Sequence, residues 1–357
     1  MAYTTIDDPS EYFQTLLYSG NASNNRALTN DGNSDLQPDW VWIKERSSTS
    51  AHKIFDSTRG VGKALGSNTS DGEESYPFLS SFDSNGFTIA TSDGSTNASG
   101  DTYVAWQWKA NGGTTTTNDA SATSIGTIDS VYQANTTAGF SIVTYTGSGS
   151  EGTIAHGLGA TPKLIIWKRR TDNGNNWSVQ GKISGIDTDR VEINLNSTGA
   201  KSSVDSRIGR QSQWSSTVFE VNTYVDQNAS SKDYVAYCFA EIKGYSKMGS
   251  YTGNGNNDGT FVYTGFKPAW LLIKRTDAAE DWWLHDNKRN PINPIDKQLY
   301  ANSTSTEPTE TSEDFVSNGF KFRNSNANWN ASGGTYIYMA FAEHPFVSSK
   351  GVPVTAR

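Results

Sequence analysis

The chain has 357 residues, of which 34% are hydrophobic and 12% aromatic, and its formal net charge is -8. The acidic balance argues against nucleic-acid binding, because phosphate contacts need clustered cations, and no apolar run approaches the roughly 20 residues of a membrane-spanning helix. The single cysteine excludes an intramolecular disulfide framework, and the N-terminal residues lack the apolar stretch of a secretory signal peptide.

The same strand patterns recur three times in chain order. Each copy opens with an aromatic-rich segment ending in Tyr-Ser/Thr-Gly, continues with a Pro that leads an apolar run ending in Lys, and closes with an aromatic-rich run. Short apolar runs bounded by turn residues indicate strands, and Pro is tolerated at a strand's start. The opening segments end at Tyr18–Gly20, Tyr145–Gly147 and Tyr251–Gly253, the Pro-led runs are Pro38–Lys44, Pro162–Lys168 and Pro268–Lys274, and the closing runs are Thr102–Trp108, Asp233–Phe239 and Thr335–Phe341.

The length of the repeat identifies its type. Successive strand prolines, Pro38, Pro162 and Pro268, lie more than 100 residues apart, whereas solenoid and propeller repeats run about 20–50 residues. Each copy is therefore a whole domain, and its short strands with Gly and Asn turns indicate a β-sandwich. The sequence predicts an all-β protein of three tandem, jelly-roll-like β-sandwich domains at 11–110, 138–243 and 244–347, with an N-terminal segment 1–10, a Gly/Thr-rich linker 111–137 and a C-terminal tail 348–357.

No catalytic or metal-binding pattern stands out in the sequence. The four histidines have no metal-ligand spacing, and Cys238 lies within an apolar run, where core packing is favoured over a nucleophilic role. Asp31–Asp35 has some features of a calcium loop, but Leu36 replaces the Gly expected at its sixth position. We interpret it as a surface turn, with calcium binding left open, and expect no enzyme activity, cofactor or metal.

Tryptophans suggest both core and binding positions. Trp177 and Trp283 both lie 15 residues after a strand Pro, which favours core packing. Trp282 and Trp329 do not recur, and Trp329 is flanked by amides. An exposed indole can stack on a sugar while amides meet its hydroxyls, although such a Trp could instead anchor its loop. The candidate glycan or host contacts are Trp282, Asn328, Trp329 and Asn330.

A charged pair recurs in the outer copies. Asp56 and Arg59 in the first copy correspond to Asp286 and Arg289 in the third, and both pairs begin 18 residues after the strand Pro. The second copy has Gln180 at this offset. An Asp and an Arg three residues apart can fix a loop by a charge-assisted hydrogen bond, so a structural role is favoured over a binding site.

One segment carries a family resemblance. His156-Gly-Leu-Gly159 followed by Pro162-Lys-Leu-Ile-Ile resembles a segment common in bacteriophage tail-fibre and appendage domains. The first ten residues and the Asn318–Glu343 region look like repeat-built structural proteins of marine phages. The resemblance covers nearly the whole chain, although the first and third copies lack His-Gly-Leu-Gly. It implies a virion protein made in the host cytoplasm and supplies no catalytic residues.

These observations together lead to one favoured function and two alternatives. We expect a non-enzymatic tail-fibre or appendage protein that contributes to attachment to host-surface glycans. Its expected partners are copies of itself, with a trimer preferred by the resemblance, and other virion proteins, without nucleic acid or membrane insertion. A capsid-surface decoration protein is the first alternative, and a polysaccharide depolymerase is less favoured because no acid pair suited to glycoside hydrolysis can be singled out.

Overall fold

A computed structural model describes residues 2–353. Its elements are almost all strands, so the prediction of an all-β, sandwich-like fold is confirmed. The ends of the predicted N-terminal segment and C-terminal tail, Met1 and residues 354–357, lie outside the described residues. All three Pro-led runs contain a strand and none contains a helix.

The elements follow the three copies of the sequence pattern, called units one, two and three below. Unit one contains β1 (Phe13–Ser19), β2 (Arg26–Thr29), β3 (Trp40–Glu45), β4 (Lys53–Asp56), β5 (Lys63–Ala64), β6 (Glu74–Ser75), β7 (Leu79–Asp83), β8 (Gly86–Ile89), helix α1 (Gly94–Asn97) and β9 (Thr102–Trp108). Next come β10 (Thr116–Asn118), α2 (Ala120–Thr123) and β11 (Ser130–Asn135). Unit two contains β12 (Phe140–Thr146), β13 (Gly152–Ala155), β14 (Leu164–Arg169), β15 (Trp177–Gly181), β16 (Ile193–Asn194), β17 (Val218–Val221), α3 (Val225–Asn228) and β18 (Asp233–Phe239). Unit three contains β19 (Ser246–Thr252), β20 (Phe261–Tyr263), β21 (Phe266–Arg275), β22 (Trp282–Asp286), β23 (Ile295–Lys297), β24 (Leu299–Tyr300), β25 (Thr309–Val316), β26 (Gly319–Phe322), α4 (Ala327–Asn330) and β27 (Thr335–Pro345). Short 3-10 turns lie at Pro9–Glu11 and Gln211–Gln213.

Each unit has a larger antiparallel sheet in which the closing strand lies between the opening strand and the Pro-led strand. The orders are β1-β9-β3-β4, β12-β18-β14-β15-β16 and β19-β27-β21-β22-β24. A smaller sheet accompanies each, with orders β2-β8-β7, β13-β17 and β20-β26-β25-β23. One apolar cluster in each unit takes side chains from both of its sheets. The alternating side chains of the larger sheets therefore face this cluster on one side only.

Residues 111–137 do not form the free linker that their Gly/Thr-rich composition suggested. Strand β11 pairs with β12 and carries β10 on its far side, so this segment extends the larger sheet of unit two. Its beginning is also fixed, because the Asp39 carboxylate accepts hydrogen bonds of 2.8 Å from the backbone N–H groups of Gly112 and Gly113. The polar composition reflects exposure, since β10 is an edge strand with only Asn118 buried.

The opposite faces of the three larger sheets meet in one shared core. Trp40 of unit one stacks on Tyr237 of unit two, with ring centroids 4.7 Å apart. Trp108 of unit one contacts Phe341 of unit three at 5.6 Å, and Phe239 of unit two contacts the same Phe341 at 6.1 Å. All five rings are essentially buried. The units are therefore joined through a common aromatic core, and each larger sheet is covered on both faces.

The contacts between units repeat in a cyclic order. At or just before the start of the strand that follows each Pro-led strand, a ring nitrogen lies within hydrogen-bond distance of a backbone carbonyl in the preceding unit. The three contacts are Trp177 Nε1 to the Gly66 carbonyl (2.8 Å), Trp282 Nε1 to the Asn194 carbonyl (2.9 Å) and His52 Nε2 to the Tyr300 carbonyl (2.8 Å). Unit two thus contacts unit one, unit three contacts unit two, and unit one contacts unit three. Head-to-tail interfaces of this kind form a closed ring, here within a single chain.

Candidate functional site

The charged pair of unit one lies at its interface with unit two. Asp56 accepts hydrogen bonds from its own loop, from Arg59 N (2.8 Å) and Arg59 Nε (2.5 Å), and both side chains are fully buried. The Tyr237 hydroxyl of unit two donates to the same carboxylate at 2.7 Å. Burial alone would lower the pKa of the Arg59 guanidinium, but the adjacent Asp56 carboxylate raises it above its usual range. The pair is thus a loop brace that also joins two units.

The corresponding pair of unit three joins that unit to unit one. Arg289 Nε lies 2.6 Å from Asp286 Oδ2, and Trp106 Nε1 of unit one donates to the same oxygen at 2.9 Å. In unit two, the strand register places Gly181 at the position of Asp56. Gly181 opposes Leu164, and Asp56 opposes Trp40, which is the equivalent residue two positions after the strand Pro. The assignment of Gln180 from its offset was therefore off by one residue.

Each Arg also belongs to a larger ionic network between units. In both networks a single glutamate, which follows the Asp–Arg pair in the chain, forms two ion pairs. One is with the buried Arg of its own unit, and the other is with an Arg of the next unit. The contacts are Arg59–Glu73 (3.1 Å) and Arg170–Glu73 (2.7 Å) between units one and two, and Arg289–Glu307 (3.1 Å) and Arg46–Glu307 (2.8 Å) between units three and one. Burial alone would raise the pKa of Glu73, but the two arginines hold it below its usual value. These residues act as connectors between units.

The candidate glycan contacts are not exposed as predicted. The exposed fractions of Trp282 and Trp329 are 2% and 0%. Trp329 packs edge-on against Trp283, with centroids 4.8 Å apart, and its Nε1 donates to Asn324 Oδ1 at 2.7 Å. The interpretation of these indoles as sugar platforms is therefore wrong. Trp329 lies on the short helix α4, which turns its side chain into the sandwich core.

Of the two amides that flank Trp329, that of Asn330 is also used within the fold. Asn330 is buried, and its Nδ2 donates to Asn254 Oδ1 (3.0 Å) and to the Asn256 (3.0 Å) and Asn324 (2.8 Å) carbonyls. Asn328 is half-buried, and its N–H donates to an amide in the same loop. The Asn330 amide is therefore bound within the fold, whereas Asn328 keeps a partly exposed side chain.

Trp177 and Trp283 are buried as predicted, with exposed fractions of 0% and 4%, but they are not equivalent. Trp177 opposes Lys168 across its hairpin, and it is Trp282, not Trp283, that opposes Lys274. The hairpin of unit three is one residue shorter, so counting from the Pro aligned the wrong Trp. Trp282 and Trp177 are the pair that makes equivalent contacts to the preceding unit.

Three lysines are buried at equivalent positions in the three units. Lys44, Lys168 and Lys274 end their Pro-led runs and have fully buried side chains that donate to backbone carbonyls. The acceptor for Lys44 is Thr304 of unit three (3.1 Å), and one acceptor for Lys274 is Thr198 of unit two (2.9 Å). Burial lowers the pKa of each lysine to about 8. Lys44 and Lys274 thereby tie a loop of the preceding unit to the sheet, whereas Lys168 donates to the Asn175 carbonyl of its own unit at 2.5 Å.

A groove with a volume of about 420 Å³ lies between units one and three. On the unit-one side it is lined by β1 and by the turn that holds Asp31, and on the unit-three side by Ala269, Asn287 and Lys288. Lys288 Nζ lies 2.9 Å from Asp31 Oδ1, so an exposed ion pair bridges the two units at the groove. A volume of this order suits a small ligand or a short peptide segment.

Sequence reasoning identified neither this groove nor the repeated amide that supports the unit contacts. Asn68, Asn196 and Asn302 each accept a hydrogen bond from the backbone N–H of the residue that contacts the preceding unit (2.9, 2.9 and 2.7 Å). The available signal was an Asn followed by two Ser or Thr residues in every copy.

Within residues 2–353, no three potential metal ligands of the His, Cys, Asp or Glu type cluster together, and no helix is long and apolar enough to cross a membrane.

A comparison with protein families identifies one match. The family model described as a domain of unknown function (DUF7483) matches residues 8–345, which is nearly the whole chain. The chain therefore belongs to this family. A search of curated proteins found no match. The single family domain spans all three units, as does the shared aromatic core.

Proposed function

We propose that this chain is a non-enzymatic structural protein of a bacteriophage virion, located in a tail fibre or appendage and contributing to attachment to host-surface glycans. The observation that supports this proposal is the closed ring of three units within one chain. Its interfaces use buried ion pairs and an aromatic core, which favour a rigid block over a hinged catalyst. The resemblance in the His156–Ile166 segment supplies the virion context.

The ring also bears on the expected homotrimer. The surfaces that contact neighbouring units head to tail are already occupied within the chain. One chain therefore has the approximate threefold arrangement that a trimer of single-unit proteins would have. We propose that it fills a threefold position on the virion, where it contacts other virion proteins. Further self-association would have to use other surfaces.

The position on the virion distinguishes the favoured function from its first alternative. Cryo-electron microscopy of virions of a phage that encodes this protein would locate it, with an antibody fragment (Fab) against unit three as a marker. Density on the tail or its appendages supports the proposal, and density distributed over the capsid shell favours a decoration protein. Absence of the chain from purified virions by mass spectrometry would refute both.

Attachment requires a separate test. The purified chain, fluorescently labelled, should bind host cells, and enzymatic removal of surface polysaccharide should abolish binding. Release of reducing ends from that polysaccharide by the purified chain would instead support the depolymerase. Binding that survives polysaccharide removal would refute the glycan part of the proposal.

A further inference from the structure

We propose that the groove between units one and three binds an extended strand of another polypeptide, which adds antiparallel to the open edge of β1. The structure contains the model for this arrangement, because β11 occupies the corresponding place between units two and one. The inference stands independently of the virion assignment. It rests on the correspondence of the two sites, residue by residue.

The strand surfaces of the two sites correspond. Tyr18 opposes Tyr103 in unit one as Tyr145 opposes Tyr234 in unit two, so Phe13–Thr15 correspond to Phe140–Ile142. In unit two, β11 covers these residues, with Asn135 opposite Phe140 and Gln133 opposite Ile142. In unit one, β1 is the first strand of its sheet, and residues Phe13–Thr15 line the groove instead.

The opposite walls correspond as well. Across the unit-two site, the Gln133 amide donates to Ser57 Oγ and Thr58 Oγ1 of unit one, both at 2.9 Å. Ser57 and Thr58 follow Asp56, and their counterparts after Asp286 are Asn287 and Lys288, which line the groove. The backbone agrees, because Ser57 N donates to the Asp39 carbonyl and Asn287 N donates to the Ala269 carbonyl, each at 2.9 Å.

The chain segment that precedes β1 lines the groove without adding a strand to it. The residues before β12 form β11, whereas before β1 the residues Asp8 and Ser10 line the groove and Tyr3 reaches unit three. There the Tyr3 hydroxyl donates to the Gly265 carbonyl at 2.8 Å. The edge of β1 is thereby left without a neighbouring strand from residues 2–353.

One side chain in the groove has an unmet hydrogen-bonding requirement. Thr15 is 4% exposed, and its Oγ1 has no partner in the structure, whereas its counterpart in unit two is the apolar Ile142. A buried hydroxyl without a partner costs free energy. A residue placed opposite Thr15, as Gln133 is placed opposite Ile142, would bring a polar side chain between Thr15 and the Asn287–Lys288 turn.

This geometry defines the chemistry of the partner. Strand addition supplies main-chain hydrogen bonds, and side-chain pockets supply specificity. The partner is therefore an extended segment of a few residues with an amide or carboxylate side chain opposite Thr15. A carboxylate would compete with Asp31 for Lys288, and an amide could bind beside the intact ion pair, so we favour Gln or Asn at this position.

The chain's own β11 sequence is the probe. A labelled peptide of residues 128–137, Ile-Asp-Ser-Val-Tyr-Gln-Ala-Asn-Thr-Thr, is titrated with the full-length protein by fluorescence anisotropy. We expect saturable binding, and we expect hydrogen exchange of the backbone amides in residues 13–17 to slow. A peptide with Ala in place of its Gln should bind about tenfold more weakly, the loss of one well-placed polar contact.

Variants locate the site. Ala269→Trp should fill the groove and reduce affinity by at least about tenfold, and Ala279→Trp, on an exposed turn of the same unit, should leave it unchanged. Should Ala269→Trp fail to fold, Asn287→Ala/Lys288→Ala provides the second variant, and it should abolish the difference between the Gln and Ala peptides. Two further peptides carry backbone N-methyl groups, one at the even-numbered and one at the odd-numbered residues. Only the peptide whose methylated N–H groups would point towards β1 should bind more weakly.

Several results would overturn the proposal. They are absence of peptide binding up to millimolar concentration, equal binding by the Ala269→Trp variant, and equal binding by both N-methylated peptides. Slowed exchange at residues 140–146 in place of 13–17 would show exchange with the chain's own β11. Binding of neutral oligosaccharides, blocked by Ala269→Trp, with no peptide binding would identify the groove as a sugar site.

Discussion

The buried ion pair between units one and two offers a direct test of how the ring is held together. Asp56→Asn keeps the shape of the side chain but removes the charge that neutralises Arg59. Arg59 remains fully buried and would keep Glu73 at 3.1 Å as its nearest carboxylate. Removing one partner of a buried pair typically costs about 3–5 kcal/mol, and the remaining glutamate places the expected loss near the lower end, at about 3 kcal/mol.

The Tyr237 hydroxyl adds to this cost, because its acceptor is changed from a carboxylate to an amide oxygen. At about 2 °C per kcal/mol for a chain of this size, the midpoint of thermal unfolding should fall by about 6 °C. The assay is calorimetry at neutral pH, with urea denaturation as a second measure. Asp56→Asn/Arg59→Met should recover part of the loss, since it removes the unpaired cation as well.

A matched control comes from an exposed pair. Arg207 Nη2 lies 2.6 Å from Asp205 Oδ2, but the Arg207 side chain is 60% exposed. Asp205→Asn should therefore cost no more than about 1 kcal/mol. If Asp56→Asn were no more destabilising than Asp205→Asn, the buried pair would not be a principal connector of units one and two, and the account of the interface would be wrong.

Three further predictions test buried groups. Trp329→Ala should cost about 3–5 kcal/mol in urea denaturation, as expected for a core Trp, so any loss of host attachment should parallel the loss of stability; an unchanged urea midpoint would contradict its buried position. Burial lowers the pKa of Lys44, Lys168 and Lys274 to about 8, so the unfolded state holds more protons than the folded state between about pH 8 and 10.5. The free energy of unfolding should therefore rise with pH up to about 10. Lys168→Met should make this rise shallower than in the wild type. Burial lowers the pKa of His52 to about 3, so stability should fall as the pH drops from about 6.5 towards 3, and His52→Gln should lose less stability between pH 7 and 5 than the wild type loses.

The strands were predictable because their signals are local. Each Pro-led run is apolar, ends six residues later in Lys, and forms a strand in the structure. Burial of Trp177 followed from the same reasoning, since a large aromatic near a recurring strand belongs to a core. The Asp56 and Arg59 loop was also accessible, because the two residues are only three positions apart.

The burial of Trp329 could not be predicted from the residues next to it in the sequence. Its flanking amides suggested a sugar site, but Asn330 recurs as Asn97 and Asn228, each followed by Ala-Ser. Each of the three accepts a hydrogen bond from a backbone N–H just after the opening strand (3.1, 2.8 and 3.0 Å). A residue that recurs in all three copies contributes to the shared fold. This recurrence in the sequence was the signal that predicted a structural role for Asn330.

The ring itself was outside the reach of sequence patterns. Its contacts join residues far apart in the chain, such as Asp56 with Tyr237 and Trp106 with Asp286. Hydrophobic periodicity reports that a strand face is buried but not which sheet covers it. A nearly continuous apolar run such as each Pro-led run is consistent with a strand that is buried on both faces or lies at a sheet centre, and in the structure another unit covers the second face.

The interface between units three and one differs from the other two because no short chain connection joins its units. Units one and two, and units two and three, are consecutive in the chain, so the loss of entropy on bringing them together is limited by short connections. Units three and one have no such connection, and non-covalent contacts hold them together. These include the Arg46–Glu307 and Lys288–Asp31 ion pairs, the Asp286–Trp106 hydrogen bond and a main-chain hydrogen bond from Glu307 N to the Arg46 carbonyl (3.0 Å). It also lacks the strand that β11 supplies between units two and one. A strand from another chain would add main-chain hydrogen bonds at the interface where the ring has no covalent connection, so binding of a partner there would stabilise the whole ring.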